Sequence, residues 1–310
     1  MWCLRTASKR FAPRVWAASS IRTNTTIAET VYYRCNYHDK AAVALVCEHA
    51  KIKWSYEELW NRISTLAGGL QSLGYVQGDV VATDVLHPVG NVLLQLAVSH
   101  NGMTMMSTKD AGELEQLAQK VPVRGAVMEH SSSFLSETCL SMKNSITEIK
   151  GKASAGCTNR NLDLAYYGTT DVTTNREAYL AGVGTAGLLE IVPEDIICIA
   201  TSTNKLVGIG SIVSGFVRNA TVYIPDMANL DLGDSTLVIT DDSSLEKVRN
   251  AAKKGSKLRG GLVHMKSGDD VLIATEDIAG VECRILGSAP DSETLRPLFD
   301  PCKNTYYSFK

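Results

Sequence analysis

The sequence has no long uninterrupted apolar run, although hydrophobic residues occupy 45% of its 310 positions. The most apolar segments, residues 92–98 and 190–201, are interrupted by polar residues or fall well short of the roughly 20 residues that a membrane-spanning helix needs. We therefore predict no transmembrane helix. Charged residues make up 21% of the chain, which is typical of a globular protein, and its length allows two domains or one large one.

The closely spaced cysteine and histidine pairs that bind metal ions are also lacking. The eight cysteines form no Cys-x-x-Cys unit, and no histidine stands four residues from another. We interpret these residues as reduced thiols and as core or surface imidazoles. The sequence therefore predicts no metal site and no bound cofactor.

Acidic residues are absent from the first 27 positions. Residues 1–26 carry five basic residues among serine, threonine, alanine and bulky apolar residues, a composition typical of mitochondrial transit peptides. We predict that residues 1–26 are such a peptide; the alternative is a disordered basic extension of a cytosolic protein. The rest of the chain holds 26 basic and 33 acidic residues, a formal charge of −7, which argues against a nucleic acid as the main partner.

From residue 41 onward, short apolar segments alternate with helical patterns. A helix is expected after Ser55, because Glu58 completes a capping box, and it is expected to end near Gly74. Residues 80–83 and 103–106 are predicted strands, and the helix between them is expected to end at Gly102. This alternation predicts an α/β fold with mainly parallel sheets flanked by helices.

Residues 166–174 begin like a loop that cradles phosphates. Gly168 allows close backbone approach, and Thr169 and Thr170 offer hydroxyl donors. The next residue, Asp171, would face phosphate oxygens of like charge, and no lysine or arginine follows until Arg176. The segment is therefore predicted to be degenerate as a triphosphate site.

Two other glycine-rich segments are not expected to carry chemistry. Residues 182–187 have the spacing of a dinucleotide-binding loop, but such a loop follows a strand, whereas residues 175–181 are predicted to be helical. Residues 208–211 do not match the Gly-x-Ser-x-Gly pattern of a serine nucleophile. We predict no catalytic residue in this chain.

A series of segments carries a family resemblance. In chain order they are residues 53–59 (Lys-Trp-Ser-Tyr-Glu-Glu-Leu), residues 73–82 (Leu-Gly-Tyr-Val-Gln-Gly-Asp-Val-Val-Ala), the loop at 166–174, residues 193–195 with the strand after them, residues 215–225, and residues 281–290. The series is collinear over roughly residues 30–310 and resembles the adenylate-forming acyl-CoA synthetase and AMP-binding superfamily.

The resemblance implies the two N-terminal subdomains of the acyl-CoA synthetase large domain, at residues 27–160 and 161–310. It places residues 168–170 at the phosphate loop and four further residues near the adenine, and we interpret both sets as vestigial. The four are Gly287, Ser288, Ala289 and Pro290. In the family the loop ends in glycine-x-proline-lysine, whereas this chain has Asp171, Val172, Thr173 and Thr174. The sequence ends about where the family's magnesium-binding glutamate motif begins, so that glutamate and the C-terminal domain with the catalytic lysine are expected to be missing.

Adenylyl transfer depends on positioned positive charge, so these departures favour a protein without catalysis. The resulting hypothesis is an accessory or structural subunit of a large mitochondrial complex, in the matrix or on the matrix face of the inner membrane. Its expected partners are protein subunits, with no direct contact to nucleic acid, and net acidity favours the respiratory chain or ATP synthase over the mitoribosome. The alternatives are a nucleotide- or acyl-CoA-binding regulatory module without turnover, and an acyl-CoA ligase half-enzyme.

Overall fold

Strands and helices alternate along most of the chain. The computed structural model describes residues 26–84, 87–108, 111–128, 143–152, 156, 163–167, 171–252, 257–265, 273–278 and 280–287. In these residues the helices are α1 (Ile27–Tyr37), α2 (Tyr56–Ser72), α3 (Pro88–Asn101), α4 (Ala111–Ala118), α5 (Asn175–Leu188), α6 (Leu206–Arg218) and α7 (Leu245–Ala252). Not one of the helices so described is both long enough and apolar enough to cross a membrane.

The strands of the same residues form two sheets. They are β1 (Val43–Cys47), β2 (Ile52–Ser55), β3 (Val80–Thr83), β4 (Thr104–Ser107), β5 (Val123–Met128), β6 (Lys143–Ser145), β7 (Asp163–Tyr167), β8 (Asp171–Thr174), β9 (Ile196–Ala200), β10 (Thr221–Tyr223), β11 (Leu237–Asp241), β12 (Gly260–Met265), β13 (Ile273–Ile278) and β14 (Val281–Gly287). The larger sheet has the order β13-β14-β12-β11-β9-β10-β1-β2, and the smaller one the order β6-β5-β3-β4-β7-β8. Strand pairing is parallel except at three edge strands, β2, β8 and β13, which confirms the predicted mainly parallel α/β fold.

Each sheet takes strands from both sides of residue 160. β1 and β2 join the larger sheet, because β1 pairs in parallel with β10 (Leu45 opposite Val222). β7 and β8 complete the smaller sheet, where β7 pairs with β4 (Met105 opposite Ala165). The division between the two sheets therefore does not coincide with the predicted boundary between residues 27–160 and 161–310.

Local sequence signals set the ends of the helices that face the core. The hydroxyl of Ser55 accepts a hydrogen bond from the Glu58 N–H (3.2 Å), and the Glu58 carboxylate accepts one from the Ser55 N–H (2.9 Å), so the predicted capping box is present. Gly102 ends α3 in the left-handed conformation (φ 66°), and Gly74 follows α2 with φ 88°. Both glycines stand where a side chain would strain the backbone.

One hydrophobic core connects the two sheets. It contains buried residues from α1, α2, α3, α5 and α6 together with strands of both sheets. At its centre the Tyr56 ring packs edge-to-face on Phe216, with ring centroids 6.0 Å apart, and its hydroxyl donates to the Ala220 carbonyl (2.9 Å). Helices of the two sheets therefore share one apolar interior.

Glycines allow α2 to pack directly against the backbone of residues 149–151. The Gly151 N–H donates to the Thr65 carbonyl (3.0 Å). A Cβ at Gly69 would lie 2.5 Å from Ile149 Cγ2 and 2.6 Å from the Lys150 nitrogen, and a Cβ at Gly151 would lie 2.6 Å from the Gly68 carbonyl oxygen. Only glycines fit this contact without moving the backbone.

Gly69→Ala is expected to lower the free energy of unfolding by about 1–3 kcal/mol, because the added methyl group would overlap the backbone at residue 150. The matched control is Gly184→Ala on α5, where an added Cβ meets no atom within 4 Å. That change should leave stability unchanged or raise it by up to about 1 kcal/mol, because alanine favours helix. Urea unfolding followed by circular dichroism measures both, and equal effects of the two variants would contradict the proposed close contact.

Candidate functional site

The segment that begins like a phosphate-binding loop, residues 166–174, lies at a hairpin on the edge of the smaller sheet. β7 and β8 pair antiparallel, with Tyr167 opposite Asp171, and β7 runs parallel to β4. Gly168, Thr169 and Thr170 fall between these strands and outside the described residues. The hairpin opens at the carboxyl end of a parallel strand, where ligands of α/β proteins bind.

The residue at the family's lysine position instead begins a helix. The Thr174 hydroxyl accepts a hydrogen bond from the Glu177 N–H (3.2 Å), and the Glu177 carboxylate accepts from the Thr174 N–H (2.8 Å) and hydroxyl (3.1 Å). Thr174 is therefore the N-cap of α5 in a complete capping box. Its hydroxyl and its N–H both bond to Glu177 at the helix end, and threonine supplies no positive charge at this position.

Carboxylates gather at the base of the same hairpin. Asp163 pairs across the strands with Thr174, the residue that Glu177 caps. Burial, together with the negative charge of Glu177, raises the pKa of Asp163. The nearest following cation in the sequence, Arg176, is exposed on α5. This negative charge lies at the start of β7, whereas residues 168–170 follow the carboxyl end of that strand, at Tyr167.

The other glycine-rich segments lie inside helices, as predicted. Residues 182–187 belong to α5 and residues 208–211 to α6. A Cβ at Gly182 would lie 2.5 Å from a Val213 methyl carbon, so this glycine allows α5 and α6 to pack closely. The segment at 182–187 therefore lacks the strand-turn-helix geometry of a dinucleotide site.

A second polar cluster lies at the carboxyl ends of the larger sheet. Thr201 follows β9, Asp241 ends β11, and His264 lies near the end of β12 directly opposite Asp241 in the register. The adenine-side glycine predicted from the sequence, Gly287, ends β14 opposite Met265 and therefore reaches the same edge. Its neighbours Ser288, Ala289 and Pro290 fall outside the described residues.

Asp241 is held as a carboxylate by its neighbours. It accepts hydrogen bonds from the hydroxyls of Thr201 (2.7 Å) and Ser243 (2.5 Å) and from the Ser244 N–H (3.1 Å), and the Lys205 ammonium lies 3.7 Å away. Burial opposes ionisation, but these hydrogen bonds and the lysine charge outweigh it and hold the pKa of Asp241 below its ordinary value. The bond to Ser244 also places this carboxylate at the start of α7.

His264 is the buried member of the cluster, with 6% of its surface exposed. Burial lowers the pKa of its imidazole to about 4, although the charge of Asp241 opposes this. Among the described residues Nδ1 has no hydrogen-bond partner. The site thus combines a neutral imidazole, a carboxylate and hydroxyls, which together can accept and donate hydrogen bonds to a small polar ligand.

No local pattern in the sequence brings these residues together. The histidines are interpreted from the sequence as isolated core or surface imidazoles, and Asp241 is not connected with them. The available signal was positional: polar residues end several successive strands of a predicted parallel sheet. Recognising it required the order of strands in the larger sheet, which local patterns do not contain.

Comparison with solved structures identifies the fold. The N-terminal domain of FACL13 from Mycobacterium tuberculosis superposes with a TM-score of 0.69 at 11% identity, covering 86% of this chain and 76% of that one. The Klebsiella oxytoca NpsA N-terminal subdomain, in complex with 3-hydroxyanthranilyl-AMSN, also gives 0.69 at 13% identity, with 87% and 74% covered. The chain therefore has the fold of the N-terminal domain of adenylation and acyl-CoA synthetase enzymes, as the resemblance implied.

Longer relatives of this fold extend well beyond the matched region. The artificially fused adenylation-PCP di-domain NpsA-ThdA from Klebsiella oxytoca gives a TM-score of 0.67 at 14% identity, with 77% of this chain and 49% of that chain covered. The chain thus spans about half the length of that protein. No protein-family model and no curated protein matches the sequence.

The buried imidazole predicts a pH-dependent stability. The unfolded chain takes up a proton at His264 near pH 6.5, whereas the folded protein does so only near pH 4. This histidine therefore does not lower the free energy of unfolding above pH 6.5, and it lowers it increasingly as the pH drops from 6.5 towards 4. In the His264→Gln variant, the free energy of unfolding lost between pH 7 and pH 5 should be about 2 kcal/mol smaller than in the unchanged chain.

Urea unfolding at the two pH values measures this difference. The control is His49→Gln, a histidine substitution at a side chain that is 66% exposed. An unchanged pH dependence in the His264 variant would show that the imidazole is not buried as a neutral group.

Proposed function

We propose that this chain is a non-catalytic accessory or structural subunit of a large mitochondrial complex, built on a degenerate AMP-binding fold. The observation that carries the proposal is the hairpin at β7 and β8. Its described residues, 163–167 and 171–174, include no lysine or arginine, and its last residue is the N-cap of α5. Transfer chemistry on a nucleotide needs positive charge around the phosphates.

The remaining parts of the proposal rest on composition. The acid-free, basic segment at residues 1–26 supports import into mitochondria, with the matrix or the matrix face of the inner membrane as destination. The formal charge of −7 after its removal favours protein partners over nucleic acid, and a respiratory chain complex or ATP synthase over the mitoribosome. A stable α/β fold can offer binding surfaces after its ligand chemistry has been lost.

A second candidate is a regulatory module that binds a nucleotide or acyl-CoA without turnover. The cluster of Thr201, Asp241 and His264 favours it, because a buried imidazole nitrogen without a described partner faces the strand ends near Gly287. Calorimetric titration with ATP, AMP and acyl-CoA distinguishes the two. A heat of ligand binding that the unchanged chain shows and the Asp241→Asn variant lacks would favour the regulatory module. Absence of binding heat with every ligand would favour the accessory subunit.

A third candidate is a half-enzyme of an acyl-CoA ligase whose other half is another polypeptide. Coverage of 49% of a longer adenylation protein is compatible with it. The described residues of the hairpin, which include no lysine or arginine, argue against it, because they lie within the half that is present. Exchange of pyrophosphate into ATP by the purified protein would support this candidate instead.

The accessory-subunit proposal predicts that the protein co-migrates with a large assembly on native gels of detergent-solubilised mitochondria. A protein that migrates only as a monomer, at 33.5 kDa or at the smaller mass left after loss of residues 1–26, would contradict it. As a control for location, a variant with Lys9, Arg10 and Arg14 changed to glutamine should stay outside mitochondria, because import needs a basic amphipathic leader. No pyrophosphate exchange above background is expected from the purified chain.

A further inference from the structure

Five aromatic rings form a continuous row from the surface of α1 into the molecule. Successive ring centroids lie 5.8 Å apart from Tyr37 to Tyr33, 5.8 Å from Tyr33 to Tyr32, 5.0 Å from Tyr32 to Trp60 and 5.4 Å from Trp60 to His100. Tyr37 is 70% exposed and Tyr32 is 38% exposed, whereas His100 is buried. The row therefore places rigid aromatic surface in solvent and anchors it on the core.

Two grooves continue this row along the exposed side of α2. The first, of about 450 Å³, lies between Trp60 and Lys152. The second, of about 270 Å³, lies between Arg62 and Lys150. Thr65 lines both grooves, and its carbonyl holds the Gly151 N–H (3.0 Å). Aromatic row and grooves thus form one surface, which we call the α1–α2 face.

The charge of the grooves is opposite to that of the whole protein. Arg62, Lys150 and Lys152 line them, and no described lining residue is acidic, although the chain carries a formal charge of −2. Glu58, one turn before Arg62, is turned back to the start of α2, where it accepts the Ser55 N–H. An acidic ligand would therefore meet positive charge here.

We propose that the α1–α2 face is a docking surface for an acidic segment of a partner protein. This inference rests on the proposed function, since it names the surface by which an accessory subunit would bind its assembly. Tyrosine, tryptophan and arginine dominate the energetics of protein interfaces; Tyr32 and Trp60 contact each other on this face, and Arg62 lines its second groove. The partner places apolar side chains against Tyr32 and Trp60, and its carboxylates face the lysines.

A nucleic acid is a poorer fit to the same surface. Nucleic-acid affinity grows with the number of neutralised phosphates, and three cations line the grooves among the described residues. The acidic remainder of the protein would repel a phosphate backbone that extends past the grooves. A short peptide with carboxylates near its apolar residues fits without this repulsion.

The experiment measures binding of a fluorescein-labelled peptide of glutamate and phenylalanine to the full chain by anisotropy. A matched peptide with glutamine in place of glutamate should bind about tenfold more weakly, and a lysine peptide should not bind. A double variant, Lys150→Glu with Lys152→Glu, and a single variant, Trp60→Ala, should each weaken binding about tenfold or more. Higher salt should weaken binding of the acidic peptide as well.

Lys120→Glu is the charge-matched control, because Lys120 is exposed after α4 and lines neither groove. It should leave peptide binding unchanged. Equal binding of the glutamate and glutamine peptides would overturn the proposal. So would an unchanged affinity in the Lys150, Lys152 and Trp60 variants, or tighter binding of a thymidine oligonucleotide than of the acidic peptide.

Native gels separate this inference from the proposed function. If the unchanged chain co-migrates with a mitochondrial assembly and the α1–α2 variants do so equally well, the docking surface is wrong and the proposed function stands. If the chain binds the acidic peptide through this face but enters no assembly in mitochondria, the proposed function is wrong and the docking surface stands. Circular dichroism of each variant shows that it is folded.

Discussion

The buried start of α1 is the constraint on which the arrangement of helices depends. Ile27 and Ala28 are fully buried, so their backbone N–H groups need acceptors inside the protein. Asn175 Oδ1 accepts from Ile27 (3.3 Å), Ser99 Oγ accepts from Ala28 (3.4 Å), and the Ser99 hydroxyl donates to Asn175 (2.5 Å). This junction fixes α1 against α3, which belongs to the smaller sheet, and against α5, which leads to the larger one. An unsatisfied buried group here would cost about 1–3 kcal/mol.

The same junction ties the phosphate-like hairpin to the core. Asn175 directly follows Thr174, so the residue that caps α5 stands next to the residue that holds α1. At the other end of α1, Arg34 donates to the carbonyl oxygens of Phe216 and Val217 in the last turn of α6. Held at both ends, α1 turns Tyr32 and Tyr37 to solvent. The end of the hairpin and the aromatic row are therefore consequences of one packing arrangement.

Short-range features of this fold are readable in the sequence, and long-range pairings are not. Ser55 with Glu58, and Gly102 after α3, act through groups within four residues, so their patterns predict helix ends correctly. The spacing of Thr174 and Glu177 carries the same signature, although the segment was interpreted as a phosphate loop. By contrast, β1 pairs with β10 and the Asp241 strand lies beside the His264 strand. Such contacts depend on the order of strands across a sheet, which periodicity along one strand does not encode.

The distribution of charge links the candidate sites. At the hairpin, where a nucleotide would need cations, the described residues include no lysine or arginine, and Asp163 and Glu177 add negative charge at its base. At the strand ends of the larger sheet, Lys205 forms an ion pair with Asp241. The cations that face no lining carboxylate in the described grooves are on the α1–α2 face, at Arg62, Lys150 and Lys152. Binding of anions follows local potential and not fold. This distribution of charge supports the proposal that the α1–α2 face binds an acidic segment of a partner protein.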